Sequence, residues 1–273
     1  MKIIQRVTLI SLLILIFCMT FTTSSDFSQD LGRHLKLGEI ILQTHQIPKT
    51  NLFSYTNPTF PFINHHWGAE AAFYLMVKYF GLNSLTILKV LLLLLTYLFL
   101  LKSNKREGSV LGFSLALLLF FPLLLDRLDI RPELFGYLFF SLFLYILFYQ
   151  TNKKLLYVIP IIFIFWINVH ITFVFGLALL FIYAFFNFKK NIKIVLLLLI
   201  CSGAALCFNP HGIDGFLYPF NVFRNYGYPI VENQNLFFLN GATFNPLIRY
   251  FFIISPLVLV NLFILLSRKK YEY

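Results

Sequence analysis

Charge is scarce in this chain, and negative charge scarcest. Asp and Glu number 11 in 273 residues against 22 Lys and Arg, and charged residues make up 12% of the whole. A soluble domain carries about twice that fraction, so the composition argues against a water-soluble enzyme. Cysteine is also rare: Cys18, Cys201 and Cys207 all lie inside apolar runs. They read as small buried hydrophobes, which argues against a disulfide framework or a thiolate metal site. Alternating ten-residue strands are missing, which disfavours a transmembrane barrel. GxxxxGK[ST], GxSxG, HExxH and GxGxxG are absent too, so neither an ATP-driven pump nor a Rossmann-type nucleotide-sugar enzyme is supported. The net charge of +11 does not point to nucleic acid. Its basic residues sit in short clusters between apolar runs, where they set membrane orientation.

What is present is hydrocarbon. The chain is 59% hydrophobic, with 35 Phe and a mean hydropathy of +0.79. Apolar runs at 7–22, 84–101, 109–125, 134–150, 155–168, 171–187, 194–208 and 247–266 each fit a helix crossing a core about 30 Å thick. The expected fold is all-α: a polytopic membrane protein of about eight transmembrane helices, plus two interfacial helices around a first outer loop at 23–66, in one domain over 1–273. The first run reads as an uncleaved helix and not as a signal peptide, since many spans follow. Runs 155–168 and 171–187 would overshoot the bilayer as one helix. They read as a hairpin with Asn168 and His170 at its tip.

Eight spans put both termini on one side. Thirteen of the 22 basic residues then fall on that side, accompanied by Glu107 and Glu272, while nine of the 11 acids and all 6 histidines fall on the other. The positive-inside rule makes the basic side cytoplasmic. The expected location is the plasma (inner) membrane, with the chemistry-capable groups facing outward.

Those groups concentrate in and just after the first loop. Leu31, Leu35, Leu37, Ile40, Ile41 and Leu42 recur at helical spacing after Asp30, which gives an amphipathic surface helix. Asp30, Arg33 and His34 share a face by the three- and four-residue rule, either as a site or as a helix cap with a surface ion pair. A second short helix, 67–80, carries Glu70. His66 and Glu70 stand one turn apart on it, a spacing able to hold a divalent ion or to serve only as an interfacial anchor. In DRLDIRPE (Asp126–Glu133), Pro132 extends Arg131. Its guanidinium either aims at a phosphate or pairs with Asp126, Asp129 or Glu133. NPHGID (Asn209–Asp214) forces a turn that carries His211.

Taken in order, DLGRHLKLGEIIL (Asp30–Leu42), IPKTNLFSYT (Ile47–Thr56), HHWGAE (His65–Glu70), RPELF (Arg131–Phe135), WINVH (Trp166–His170) and NPHG (Asn209–Gly212) resemble bacterial membrane proteins related to the GT-C class of glycosyltransferases. The resemblance covers most of the chain. Its specific part is the first loop. It implies transfer of a sugar from a polyprenyl-phosphate donor to an envelope glycan, lipid or protein acceptor on the outer face of the membrane. The essential acid of that family maps onto Asp30, with Asp26 as rival. Arg33, His34, Arg131, His170 and His211 would bind substrate, and His66 with Glu70 would support a divalent metal ion. The partners implied are the lipid-linked donor and membrane lipids. Such relatives usually run longer, so the chain reads as a short or truncated member. The competing reading is a non-catalytic subunit or transporter-like protein of envelope polysaccharide assembly. Transport predicts ionisable groups in the middle of spans, whereas here the span centres are nearly all Leu, Ile and Phe.

Overall fold

Helix is the only regular structure among the described residues, as apolar runs without alternation require; an isolated antiparallel bridge pairs Thr50 with Pro61. The computed structural model describes residues 30–103, 109–120, 129–189, 191–221, 234–242 and 245–269, with isolated positions at 10–21 and 122–127. Asp26 and most of the run 7–22 lie outside the described residues.

In chain order the helices are α1 (Leu31–Thr44), α2 (Trp67–Phe80), α3 (Ser84–Lys102), α4 (Ser109–Phe120), α5 (Glu133–Leu144), α6 (Ile159–Val169), α7 (Phe173–Asn187), α8 (Ile192–Leu206), α9 (Gly212–Asn221), α10 (Leu236–Ala242) and α11 (Pro246–Lys269). A π-helical turn, Tyr145–Tyr149, prolongs α5, and a 3₁₀ turn, Lys153–Val158, leads into α6. The all-helical expectation holds. Every expected apolar run after the first coincides with one of these helices. Among the described residues only α3 is long and apolar enough to cross a membrane unaided. The α5 segment through Tyr149, α7, α8 and the Pro246–Val260 part of α11 are apolar but shorter.

The chain divides into two compact units, one of 1–116 with 128–222 and one of 117–127 with 223–273. In the first, α1 packs on α2, α3 on α5, and α6 on α8. Its larger core is aromatic. Phe143 meets Phe163 at 4.8 Å and Trp166 at 5.1 Å, both edge-on, with Leu156, Phe173 and Leu180 closing around them. Such edge-to-face pairs contribute about 0.5–1.5 kcal/mol beyond the area they cover. A smaller core of Leu31, Phe73, Leu85 and Ile130 ties the 129–131 loop to α1, α2 and α3. In the second unit, Phe237 packs on Phe252 at 5.2 Å, and the Tyr250 hydroxyl donates to the Leu119 carbonyl at 2.5 Å.

The α1–α2 contact positions the site and depends on a missing side chain. A Cβ on Gly38 would collide with the backbone carbonyl of Glu70. Gly32, two turns earlier on α1, faces open space. Gly38→Ala should therefore lower stability by about 1–3 kcal/mol through overpacking, while Gly32→Ala should leave it unchanged or raise it by up to about 1 kcal/mol. Melting curves of the two variants test this. Equal behaviour would mean that α1 does not rest on α2 at this point.

A candidate site of clustered imidazoles around Glu70

Glu70 lies in the first turn of α2 with its side chain wholly enclosed, 0% exposed. A carboxylate in such a place is tolerated only if its oxygens are hydrogen-bonded. Both are. His34 Nδ1–H donates to Oε1 at 3.0 Å, and the Asn64 side-chain amide donates to Oε2 at 2.6 Å. An ionised carboxylate only accepts, so in this bond His34 Nδ1 carries the proton. His34 is buried as well, on the inner face of α1. Asn64 also accepts, through its side-chain oxygen, from the backbone N–H of His66 at 3.1 Å. One asparagine thus fixes both the acid and the start of α2.

More imidazoles surround this pair. The His66 ring meets His34 edge-on at 5.4 Å, stacks on His170 at 5.2 Å and lies 3.8 Å from His65, centroid to centroid. His65 rests against Tyr218 at 4.6 Å, and its Nδ1–H donates to the Ile63 carbonyl at 3.2 Å. His211 Nε2 accepts the backbone N–H of Asn64 at 3.2 Å. The NPHG turn aims that ring: Asn209 accepts the His211 backbone N–H at 2.9 Å and donates to the carbonyls of Leu206 and Gly212. Trp67 Nε1 donates to Asn168 Oδ1 at 2.7 Å, which joins the start of α2 to the end of α6. His170 is held by Thr172, whose hydroxyl lies 3.0 Å from Nδ1 and accepts from Trp166 Nε1. Four separate stretches of sequence meet here.

The sequence expectations divide accordingly. His34, His66, Glu70 and His170 come together, and His211 joins them through Asn64. His34, His66 and Glu70 place ligand atoms within 4.8 Å of one another, so the expected metal pair gains His34 from α1. Asp30 and Arg33 do not share the buried environment of His34. They form an ion pair at 3.7 Å, with side chains 43% and 37% exposed. Arg33 still contributes repulsion to His65 and His66. Arg131 turns back on its own loop, 3.9 Å from Asp129. Asp26 lies outside the described residues. Asn64 and Thr172 were not singled out from sequence, and His65 was marked only as part of the His-His-Trp run. Asn64 had a signal, since it immediately precedes the His-His-Trp run, but nothing local marks an asparagine as the partner of a buried acid.

Beside the cluster opens a cavity of about 840 Å³, lined by Trp67, Ala71, Phe165, Asn168, Phe208 and others of the same segments. Its walls are apolar, apart from the amides of Asn168 and Asn209. The Arg131 loop is not among the segments that line it. No protein-family model, curated protein or solved structure matches the chain.

Burial pushes the imidazoles toward their neutral forms. It holds His65 at about 4, with repulsion from Arg33, His34 and His211 adding to the effect, although the bond to Ile63 opposes it. Burial, then His65 and His34, hold His170 at about 3. His66 is held well below its ordinary value by burial and by its neighbours, and His211 is lowered by burial and Lys49 against the pull of Asp214. The unfolded chain takes up these protons near pH 6.5, whereas the folded chain resists until about pH 4 and below. Between those limits the unfolded state binds more protons, so stability should fall as pH drops from about 6.5 to 4. Each such histidine adds up to about 1.4 kcal/mol per pH unit. His170→Gln should make that slope shallower. Denaturation midpoints measured against pH check this, and a flat profile from pH 7 to 4 would contradict it.

Proposed function

We infer that the chain is a polytopic membrane protein that transfers a sugar from a polyprenyl-phosphate donor to an acceptor hydroxyl on the outer face of the membrane, as its resemblance to the GT-C class implies. The observation that carries the reading is the convergence of the first-loop residues, the α6–α7 turn and the NPHG turn on one polar pocket beside an apolar cavity.

The exterior supports the membrane. Phe165, Phe181, Phe185, Phe186 and Ile200 on α6, α7 and α8 are all more than 60% exposed. That much apolar surface suits hydrocarbon around it. The eight apolar runs, with the basic clusters on one side, give eight crossings and cytoplasmic termini. Reporter fusions provide the test: a reporter after Thr56 should read outside and one after Lys154 inside. An inside signal at Thr56 would remove the basis for outward chemistry.

In the reaction, the bond from the sugar C1 to the donor phosphate breaks and a bond from C1 to the acceptor oxygen forms. The acceptor proton passes to a carboxylate, and the lipid phosphate leaves. Asp30 is assigned the base. It stands one helical turn before His34, open enough to reach a hydroxyl. Arg33 beside it offers positive charge to the departing phosphate, and the apolar cavity suits the start of a prenyl chain.

Asp30→Asn keeps the size of the side chain and removes the base, so sugar transfer should fall by about a hundred- to ten-thousand-fold with little loss of stability. The measurement is transfer by purified protein in lipid from a panel of polyprenyl-phosphate sugars. Full activity in Asp30→Asn would transfer the role to another group. Inactivity of the wild type over a broad panel would favour a non-catalytic subunit.

A further inference from the structure

We propose that His34, His66 and Glu70 bind a divalent transition-metal ion, of the zinc class and not the magnesium class, at the base of this pocket. The inference deepens the reading above, and its readout does not depend on sugar transfer.

The argument starts from spacing. Two ligands about 2.0–2.1 Å from one tetrahedral ion lie about 3.4 Å apart. His34 Nδ1 and Glu70 Oε1 are 3.0 Å apart, and His34, His66 and Glu70 each offer a ligand atom, all within 4.8 Å of one another. Closing the triangle needs an approach of roughly 1 Å. The His34–Glu70 hydrogen bond occupies the place of one edge of the coordination shell. When an ion enters, it replaces the proton between the two groups, and that ring proton moves to Nε2, so no net proton is lost.

The second argument concerns His66. Its backbone N–H is bonded to Asn64, but its ring makes no hydrogen bond among the described residues. The ring is half-buried, with the imidazoles of His34, His65 and His170 against it. The rings of His34, His65 and His170 each pack on His66, and beside a wholly enclosed carboxylate the ring nitrogens of His66 are suited to an ion or water. Asn64, bonded to Oε2 at 2.6 Å, holds the carboxylate from behind, as outer groups orient ligands in metal sites. Two imidazoles and one carboxylate favour zinc, cobalt, manganese or iron over magnesium and calcium, which prefer oxygen shells. Three protein ligands leave a position open, the arrangement of a catalytic site and not of a closed structural one. A donor phosphate oxygen or an acceptor hydroxyl is the class of ligand that would take that position.

The experiment uses the full-length protein purified in lipid, stripped with a chelator and titrated with Co²⁺. The expected result is one ion per chain, with the visible ligand-field bands of four- or five-coordinate cobalt. Equimolar Zn²⁺ should displace it, and a large excess of Mg²⁺ should not. His66→Ala removes a ligand without orphaning a hydrogen-bonded partner and should weaken binding by about a hundredfold or more. Glu70→Gln, which keeps the shape of the buried group, should do the same. His45→Asn, which removes an exposed imidazole at the end of α1, should change nothing. Absence of cobalt bands, equal binding by wild type and His66→Ala, loss on His45→Asn or displacement by Mg²⁺ would each overturn the proposal. Sugar transfer by ion-free protein that binds no cobalt would leave the glycosyltransferase reading standing without the metal. Tight cobalt binding with no transfer from any donor would do the reverse.

Discussion

A carboxylate with no exposed surface, in a chain with so few acids, sets the terms for everything around it. Removing Glu70 from water costs several kcal/mol unless its oxygens are matched, and the match requires particular neighbours. His34 must come from α1 and Asn64 from the end of the first loop. For His34 to arrive, α1 must lie flat against α2, which Gly38 permits by carrying no side chain at the crossing. For Asn64 to arrive, the preceding segment must fold back, and the bridge at Thr50 and Pro61 closes that excursion, helped by Asn51 N–H to Phe60 O and Phe62 N–H to Lys49 O. The geometry of the first loop follows from satisfying one side chain.

The same economy links the loop to the rest of the first unit. Trp67 bonds to Asn168, and Asn168 donates onward to the carbonyls of Ile164 and Phe208. A single amide therefore anchors the start of α2, the last turn of α6 and the segment after α8. Thr172 does similar work at the start of α7, taking the Trp166 indole N–H while it orients His170. A Cβ on Gly136 would strike the Thr172 hydroxyl, so α5 is seated against this turn as well. The polar contacts gather at one locus, while the aromatic core of Phe143, Phe163 and Trp166 fixes the helices that present them. Disturbing either set should be felt by the other.

The helices were legible from apolar runs alone, because run length and the absence of alternation decide between helix and strand without tertiary information. α2 appeared with the bounds expected of it, 67–80, and the Asn168–His170 tip fell at the expected turn. The spacing of His66 and Glu70 correctly placed them together. The pairing that matters most was not legible. His34 and Glu70 are separated by 36 positions, and no local periodicity records a contact across that distance. Spacing also grouped Asp30, Arg33 and His34, whereas burial parts them: α1 has two faces, and the three- and four-residue rule cannot say which face the neighbouring helix will cover. Arg131 went to Asp129 because a partner two residues away costs little chain entropy to recruit.

Charge gives a reason for histidines in place of lysines or more acids at this locus. Neutral imidazole can be buried at far lower cost than ammonium, and it can still hold an ion, accept a proton or donate a hydrogen bond. Without an ion, the enclosed core of the site carries the single negative charge of Glu70, with the Arg33 guanidinium near its rim. With a divalent ion on His34, His66 and Glu70, the same core becomes net positive by one unit. A phosphate leaving a lipid would meet that charge in a low-dielectric setting, where its effect is greatest. Replacing the imidazoles with carboxylates would cancel the ion and lose the attraction; replacing them with lysines would repel the ion. Of the three, only the neutral ligands leave the pocket attractive to a phosphate once the ion is bound.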